Sequence, residues 1–90
     1  MKYMVIERFR PGSVGEVYRR FAVQGRMMPG GLHFVESWVT ADMRVCYQLM
    51  ETDDAALFAG WTRNWDDLVE FEIVPLITSA EARAKALSAV

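Results

Sequence analysis

Four side chains in this sequence could move a proton or attack an electrophile: the carboxylates Glu36 and Glu72, the imidazole of His33 and the thiol of Cys46. A carboxylate held in an apolar pocket keeps its proton to higher pH and can act as a general base near neutrality, so Glu36 and Glu72 are the candidate catalytic pair. Arg44 offers either of them a structural ion pair instead. His33 titrates near neutrality and has the chemistry of a proton shuttle or an axial metal ligand, but it stands alone at the start of a strand, where a surface role is the commoner outcome. Cys46 has no histidine at a matching position and no fixed base to lower its pKa, so it reads as a small buried hydrophobe.

Aromatic and amide groups supply the binding candidates. Phe34 with Trp38 could stack on a flat ligand, although the same rings would also serve as the packed centre of a dimer. Gln48, Met50 and Arg44 complete the expected ligand-binding set. Trp61 and Trp65 belong to an apolar helix stripe and read as core. The chain shows no glycine-rich phosphate loop, no zinc spacing and no Ser/His/Asp arrangement, so no cofactor and no metal is expected.

The elements that must position these groups follow from pattern and punctuation. Residues 2 to 9 are β-branched and aromatic and stop at Pro11-Gly12, which predicts a first strand. Ser13 is placed to cap a helix in which Val14, Val17, Tyr18, Phe21 and Ala22 share one face, ending near Gly25. Arg26 to Gly31 is a turn-rich connection. Leu32 to Thr40 and Arg44 to Glu51 form a hairpin around Ala41-Asp42. Asp53 sits at an N-cap position before a helix from about Ala55 to Asp66, along which Phe58, Trp61, Trp65 and Leu68 form one stripe. Val69 to Ile77 is the last strand, with Pro75 suited to an edge or an end. Thr78 and Glu81 have capping-box spacing and introduce an Ala-rich helical tail.

The order β, α, β, β, α, β predicts an α+β, ferredoxin-like domain: a four-stranded antiparallel sheet, two helices on one face and a short C-terminal helix. One domain is expected over 1–90, with the βαββαβ core in 1–77 and the tail in 78–90, because ninety residues enclose one core and not two. The second face of such a sheet is left open.

Alternation sorts strand residues between the faces once the hairpin register is chosen. A two-residue loop would force positive φ on Ala41, so an odd loop, Thr40 to Asp42, is the expected one. On that register Val35, Val45, Tyr47 and Leu49 face the helices, while Phe34, Glu36, Trp38, Arg44, Cys46, Gln48 and Met50 share the open face. Phe71 and Ile73 face the helices, and Glu70 and Glu72 do not. Both parities of the first strand are apolar, although Tyr3, Val5 and Glu7 match the mixed face. An open face carrying Phe34, Trp38 and Met50 predicts a homodimer through that face, enclosing a cavity for a small molecule.

Composition narrows the function classes. Apolar residues make up 52% and charged residues 24%, a globular balance in which the whole chain should fold. Residues 1 to 44 hold seven Lys/Arg against four Asp/Glu, and 45 to 90 hold three against eight. A net charge of -2 and a pI of about 5.3 lack the basic footprint of a nucleic-acid binder, so an RNA-binding βαββαβ domain is disfavoured. No window is apolar enough for a membrane span, MKYMVIERF does not read as a signal peptide, and one cysteine suits a reducing compartment; the expected location is cytoplasmic.

The opening MKYMVIERF, the junction LMETDDAALFAGW and the stretch NWDDLVEFEIVPLI resemble the family called domain of unknown function 3303, within the dimeric α/β-barrel superfamily. The resemblance covers nearly all of the chain to about Ile77, and it implies the ferredoxin-like fold and the dimeric barrel. Related barrels include cofactor-independent monooxygenases acting on polyketide quinones, haem-degrading enzymes and lactone isomerases, but fold likeness assigns no reaction. The haem-degrading pattern has an Asn in the first strand and a helical His; KYMVIERF has no Asn, and His33 lies in the hairpin.

The sequence therefore favours a small dimeric barrel protein that binds a small, partly apolar molecule in a cavity on the sheet face, with cofactor-free catalysis left open. The alternative is a non-catalytic homodimeric module, structural or metabolite-sensing.

Overall fold

In Lys2–Phe9, Tyr3, Val5 and Glu7 alternate with Met4, Ile6 and Arg8, and this segment forms the central strand β1. The computed structural model describes residues 1–88. After β1 come α1 (Val14–Gln24), β2 (His33–Val39), β3 (Val45–Glu51), α2 (Leu57–Thr62), β4 (Val69–Leu76) and α3 (Ser79–Ser88). The sheet is antiparallel in the order β2-β3-β1-β4, the ferredoxin-like βαββαβ arrangement expected of the sequence.

The core lies on the helix side of the sheet. Val5, Met50 and Val69 are fully buried there, and Val17, Leu32, Phe58, Trp61 and Trp65 close over them. Tyr3 meets Phe58 edge-on at 5.0 Å and Phe71 meets Trp61 at 5.4 Å, a tilted packing that favours aromatic quadrupoles.

The helices differ from expectation in ways their polar residues explain. Ser13 stands at the N-cap of α1, but its hydroxyl donates to the Leu68 carbonyl at 2.7 Å and makes no cap bond. Arg20 holds both carboxylate oxygens of Asp67, at 2.9 and 2.8 Å, and donates to the Asn64 carbonyl. These bonds moor α1 to the turn before β4, and Val17 is its only buried residue. Tyr18 and Phe21 stay partly exposed.

The helix expected over Ala55–Asp66 is cut to Leu57–Thr62, after which 63–68 continues as turns. The Trp65 indole and the Asn64 amide reach instead for carbonyls of the Arg26–Met27 segment, at 3.0 and 3.3 Å. Asp54, not Asp53, supplies the side-chain bond at the start of this turn, accepting from the Ala56 N–H at 3.0 Å. The Thr78–Glu81 capping box forms as expected, with the Glu81 N–H donating to the Thr78 hydroxyl at 3.0 Å.

The hairpin register corrects the expected faces. Thr40 accepts from the Val45 N–H through its hydroxyl at 3.1 Å and donates to Asp42 at 2.6 Å, while Asp42 accepts from the Arg44 N–H. That network favours a loop of even length, Ala41 to Arg44, with Met43 at φ 62. Trp38 then pairs with Tyr47 and Val39 with Cys46. A register displaced by an odd number of residues turns every β3 side chain over. Cys46, Gln48 and Met50 thus face the helices, and Val45, Tyr47 and Leu49 the open side, the reverse of the expectation.

A bulge between Phe34 and Glu36 makes the same exchange within β2. Phe34 pairs with Met50 on the helix side, whereas Glu36 and Trp38 remain on the open face as expected. Val35, expected to face the helices, is exposed at the irregularity. The expectation for β4 holds: Phe71 and Ile73 pack on the core, and Glu70 and Glu72 are exposed.

Candidate functional site

The residues expected to line one cavity lie on two faces. Glu36, Trp38 and Glu72 are on the open side; Phe34, Gln48 and Met50 are under the helices; Arg44 is exposed at the end of the hairpin loop, 3.9 Å from Asp42. Glu36 is on edge strand β2 and Glu72 on edge strand β4, three strand spacings apart, or roughly 14 Å. Glu72 pairs with Arg8 at 3.0 Å. Two carboxylates so placed cannot work on the same compact substrate. His33 is exposed opposite Glu51.

The open face has an apolar centre. One row across it runs Trp38, Tyr47, Ile6 and Glu72, and the next runs Glu36, Leu49, Met4 and Val74. Trp38 is 54% exposed and Tyr47 39%. The Arg8–Glu72 and Arg10–Glu70 pairs lie along the β1–β4 margin.

The helix face carries the core and, under α1, a polar patch. Because α1 is moored at one side, it leaves a cleft of ≈ 100 Å³ against the sheet, with Tyr18, Phe21, Trp61 and Trp65 on the helix side. Its floor is Val39, Cys46 and Glu7, neighbours in one row across β2, β3 and β1, beside Ser37 and Gln48. Glu7 is set there by strand alternation: Tyr3 and Val5 pack inward, and two residues further on the same parity presents a carboxylate.

Glu7 Oε2 is buried and has no hydrogen-bond partner among the described residues. Burial pushes the carboxyl up to about 7, and the charge of Arg26 opposes the rise. Arg26 is anchored through its backbone, since the indoles of Trp61 and Trp65 both donate to its carbonyl, at 2.8 and 3.0 Å. Its guanidinium lies over the Phe34 ring at 3.6 Å and the Phe21 ring at 5.0 Å, and its Nε is 3.5 Å from Gln48 Oε1. Cys46, next to Glu7, is pushed up to about 12 by burial first and the Glu7 charge second, so it rests as a thiol. Burial, with Cys46 and Glu7 adding to it, also raises Tyr18.

The arrangement sets an acid beside a cation in a partly apolar cleft. An acid that titrates near neutrality is matched to both halves of a proton transfer, and a cation close by can stabilise developing negative charge. Among the described residues no group of three His, Cys, Asp or Glu could hold a metal. No described helix is long and apolar enough to cross a membrane.

Of the expected ligand-binding residues, Gln48 lines the cleft, and Phe34 flanks it through Arg26. Glu7, Tyr18, Arg26 and Ser37 were absent from the expected set. Glu7 had a partial signal: strand parity groups it with Tyr3, Val5, Cys46 and Gln48, but the structure puts that set under the helices and not on the open face. Arg26 had none, because its position depends on two tryptophans 35 and 39 residues further along the chain.

No curated protein and no solved structure matches this chain. A family model does, over residues 1–90, and with a βαββαβ fold beneath it the chain belongs to the family described as Domain of unknown function (DUF3303).

Proposed function

We propose that this protein binds a small, partly apolar molecule in the cleft between α1 and the sheet, that Glu7 exchanges a proton with it, and that two copies associate through the open sheet face. One observation carries the reading: a carboxylate oxygen with no partner among the described residues belongs to a side chain of the cleft wall. A buried ionisable group without a hydrogen bond destabilises the fold, and such groups concentrate where a ligand completes them. The site is therefore in each sheet-helix unit, and the open face serves association.

Association is supported by the apolar rows through Trp38, Tyr47, Ile6 and Leu49. A large exposed apolar patch is disfavoured on a monomer and is removed when identical faces meet.

The test uses cyclopentanol as a compact neutral probe, read through the indole N–H resonances of Trp61 and Trp65. Saturable shifts of both are expected. They should be lost in Val39→Trp, which fills the cleft from an exposed position on β2. Shifts absent in the wild type, or untouched by Val39→Trp, refute the cleft as a binding site. Association is tested separately by sedimentation, in which a strictly monomeric wild type removes that part of the proposal.

A further inference from the structure

The cleft's hydrogen-bonding deficits describe what would fill them. Glu7 Oε2 has no hydrogen-bond partner among the described residues, so that carboxylate oxygen lacks a donor. Arg26 uses only Nε, and weakly, toward Gln48 at 3.5 Å; its two terminal nitrogens have no acceptor among the described residues. The Gln48 amide donates only to the Met50 sulfur at 3.3 Å, a weak acceptor. A floor that lacks both a donor and an acceptor is completed by one group carrying both.

Charge and volume narrow the group further. Glu7 and Arg26 already balance one another when both are ionised, so a second anion would add an unbalanced charge to a desolvated site, and a cation would do the same beside Arg26. A dry cavity of about 150 Å³ accepts benzene. The ≈ 100 Å³ here is smaller, which suits a head of about four heavy atoms. Tyr18, Phe21 and Val39 line the cleft and are themselves partly exposed, so an apolar remainder can lie across the rim.

Resting on the cleft reading above, we infer that the ligand's head is neutral and compact and carries a hydrogen-bond donor and acceptor on neighbouring atoms. The donor meets Glu7 Oε2 and the acceptor meets the Arg26 guanidinium. An α-hydroxy ketone and a cis-amide or lactam both present that edge. A plain ketone or hydrocarbon of equal size has no donor, and a plain alcohol must serve both partners from one oxygen.

A matched probe series tests this, with the Trp61 and Trp65 indole resonances as readout. 2-Pyrrolidinone represents the lactam edge and acetoin the hydroxy-ketone edge, with cyclopentanone, cyclopentanol and isobutyrate as comparisons. At least one of the first two is expected to bind about ten-fold more tightly than cyclopentanone, which has no donor for Glu7 Oε2, and more tightly than cyclopentanol, whose single oxygen must serve both partners. Whichever of the two binds more tightly identifies the edge. In Glu7→Leu, which keeps the apolar walls, that preference should vanish while cyclopentanol still binds. Equal binding of all the neutral probes overturns the head-group inference and leaves the cleft reading in place. Isobutyrate as the tightest ligand overturns neutrality. No shift with any probe overturns both.

Discussion

Glu7→Gln isolates the energetic effect of the buried carboxylate, because the amide keeps its shape and removes its ionisation. In the folded chain Glu7 titrates at about 7 against an ordinary 4.5, burial being the main cause. Between those values the native state holds a proton that the unfolded chain has released. Stability therefore falls as pH rises through that window, is unaffected by Glu7 below it, and is level with respect to Glu7 above it. The gap converts to about 3 kcal/mol of destabilisation by the ionised form. The variant should be nearly as stable as wild type near pH 4.5 and more stable by up to about 3 kcal/mol near pH 8, below the range where Tyr18 and Cys46 ionise. Urea unfolding at several pH values, followed by tryptophan fluorescence, measures the difference directly. A difference that stays constant with pH would refute the burial argument. A variant less stable than wild type at the alkaline end would show that Arg26 outweighs desolvation and holds Glu7 ionised.

Three further outcomes follow from other parts of the molecule. Trp38→Lys or Tyr47→Lys should reduce the sedimenting mass to that of one chain without loss of circular dichroism, and an unchanged mass would separate association from the open face. Thr40→Val removes the hydroxyl that organises the hairpin loop and should lower stability by about 1–2 kcal/mol in urea unfolding, the amount expected for lost hydrogen bonds; no loss would mean that the loop is held by other bonds. Cys46 is buried and its thiol is raised to about 12, so a disulfide exchange reagent at about pH 8 should label it only after unfolding; rapid labelling of native protein would place it at an open, electropositive site instead.

The legible part of this fold was its periodicity and punctuation. Pro11-Gly12, the Thr78–Glu81 box and the strand parities of 69–77 all became the elements they predicted, because each is set by local chemistry within a few residues. What failed to read through was register. Thr40 and Asp42 organise a longer loop and Met43 accepts a positive φ, a choice made by side-chain hydrogen bonds that a steric objection to Ala41 did not weigh. The bulge at 34–36 was equally silent, since no glycine or proline marks it. The hairpin register therefore moved six residues, Val45 through Met50, to the opposite face from the one expected, and the bulge moved Phe34.

Those exchanges link the candidate site to the open face. Once β3 is turned over, its polar members, Cys46 and Gln48, lie beside Glu7 beneath a helix that buries only Val17, and its large apolar members, Tyr47 and Leu49, face outward beside Trp38. The covered side carries Glu7, Cys46 and Gln48 next to its apolar core, and the uncovered side carries an apolar centre among its charged residues. Ordinary patterning in a two-layer domain would put the apolar residues under the helices. Local conflicts of this kind are concentrated at functional sites, where stability is surrendered for chemistry or recognition. A second copy would relieve the outward apolar rows, and a ligand with a donor beside an acceptor would relieve the inward polar ones. Neither remedy can substitute for the other, because the sheet itself stands between them.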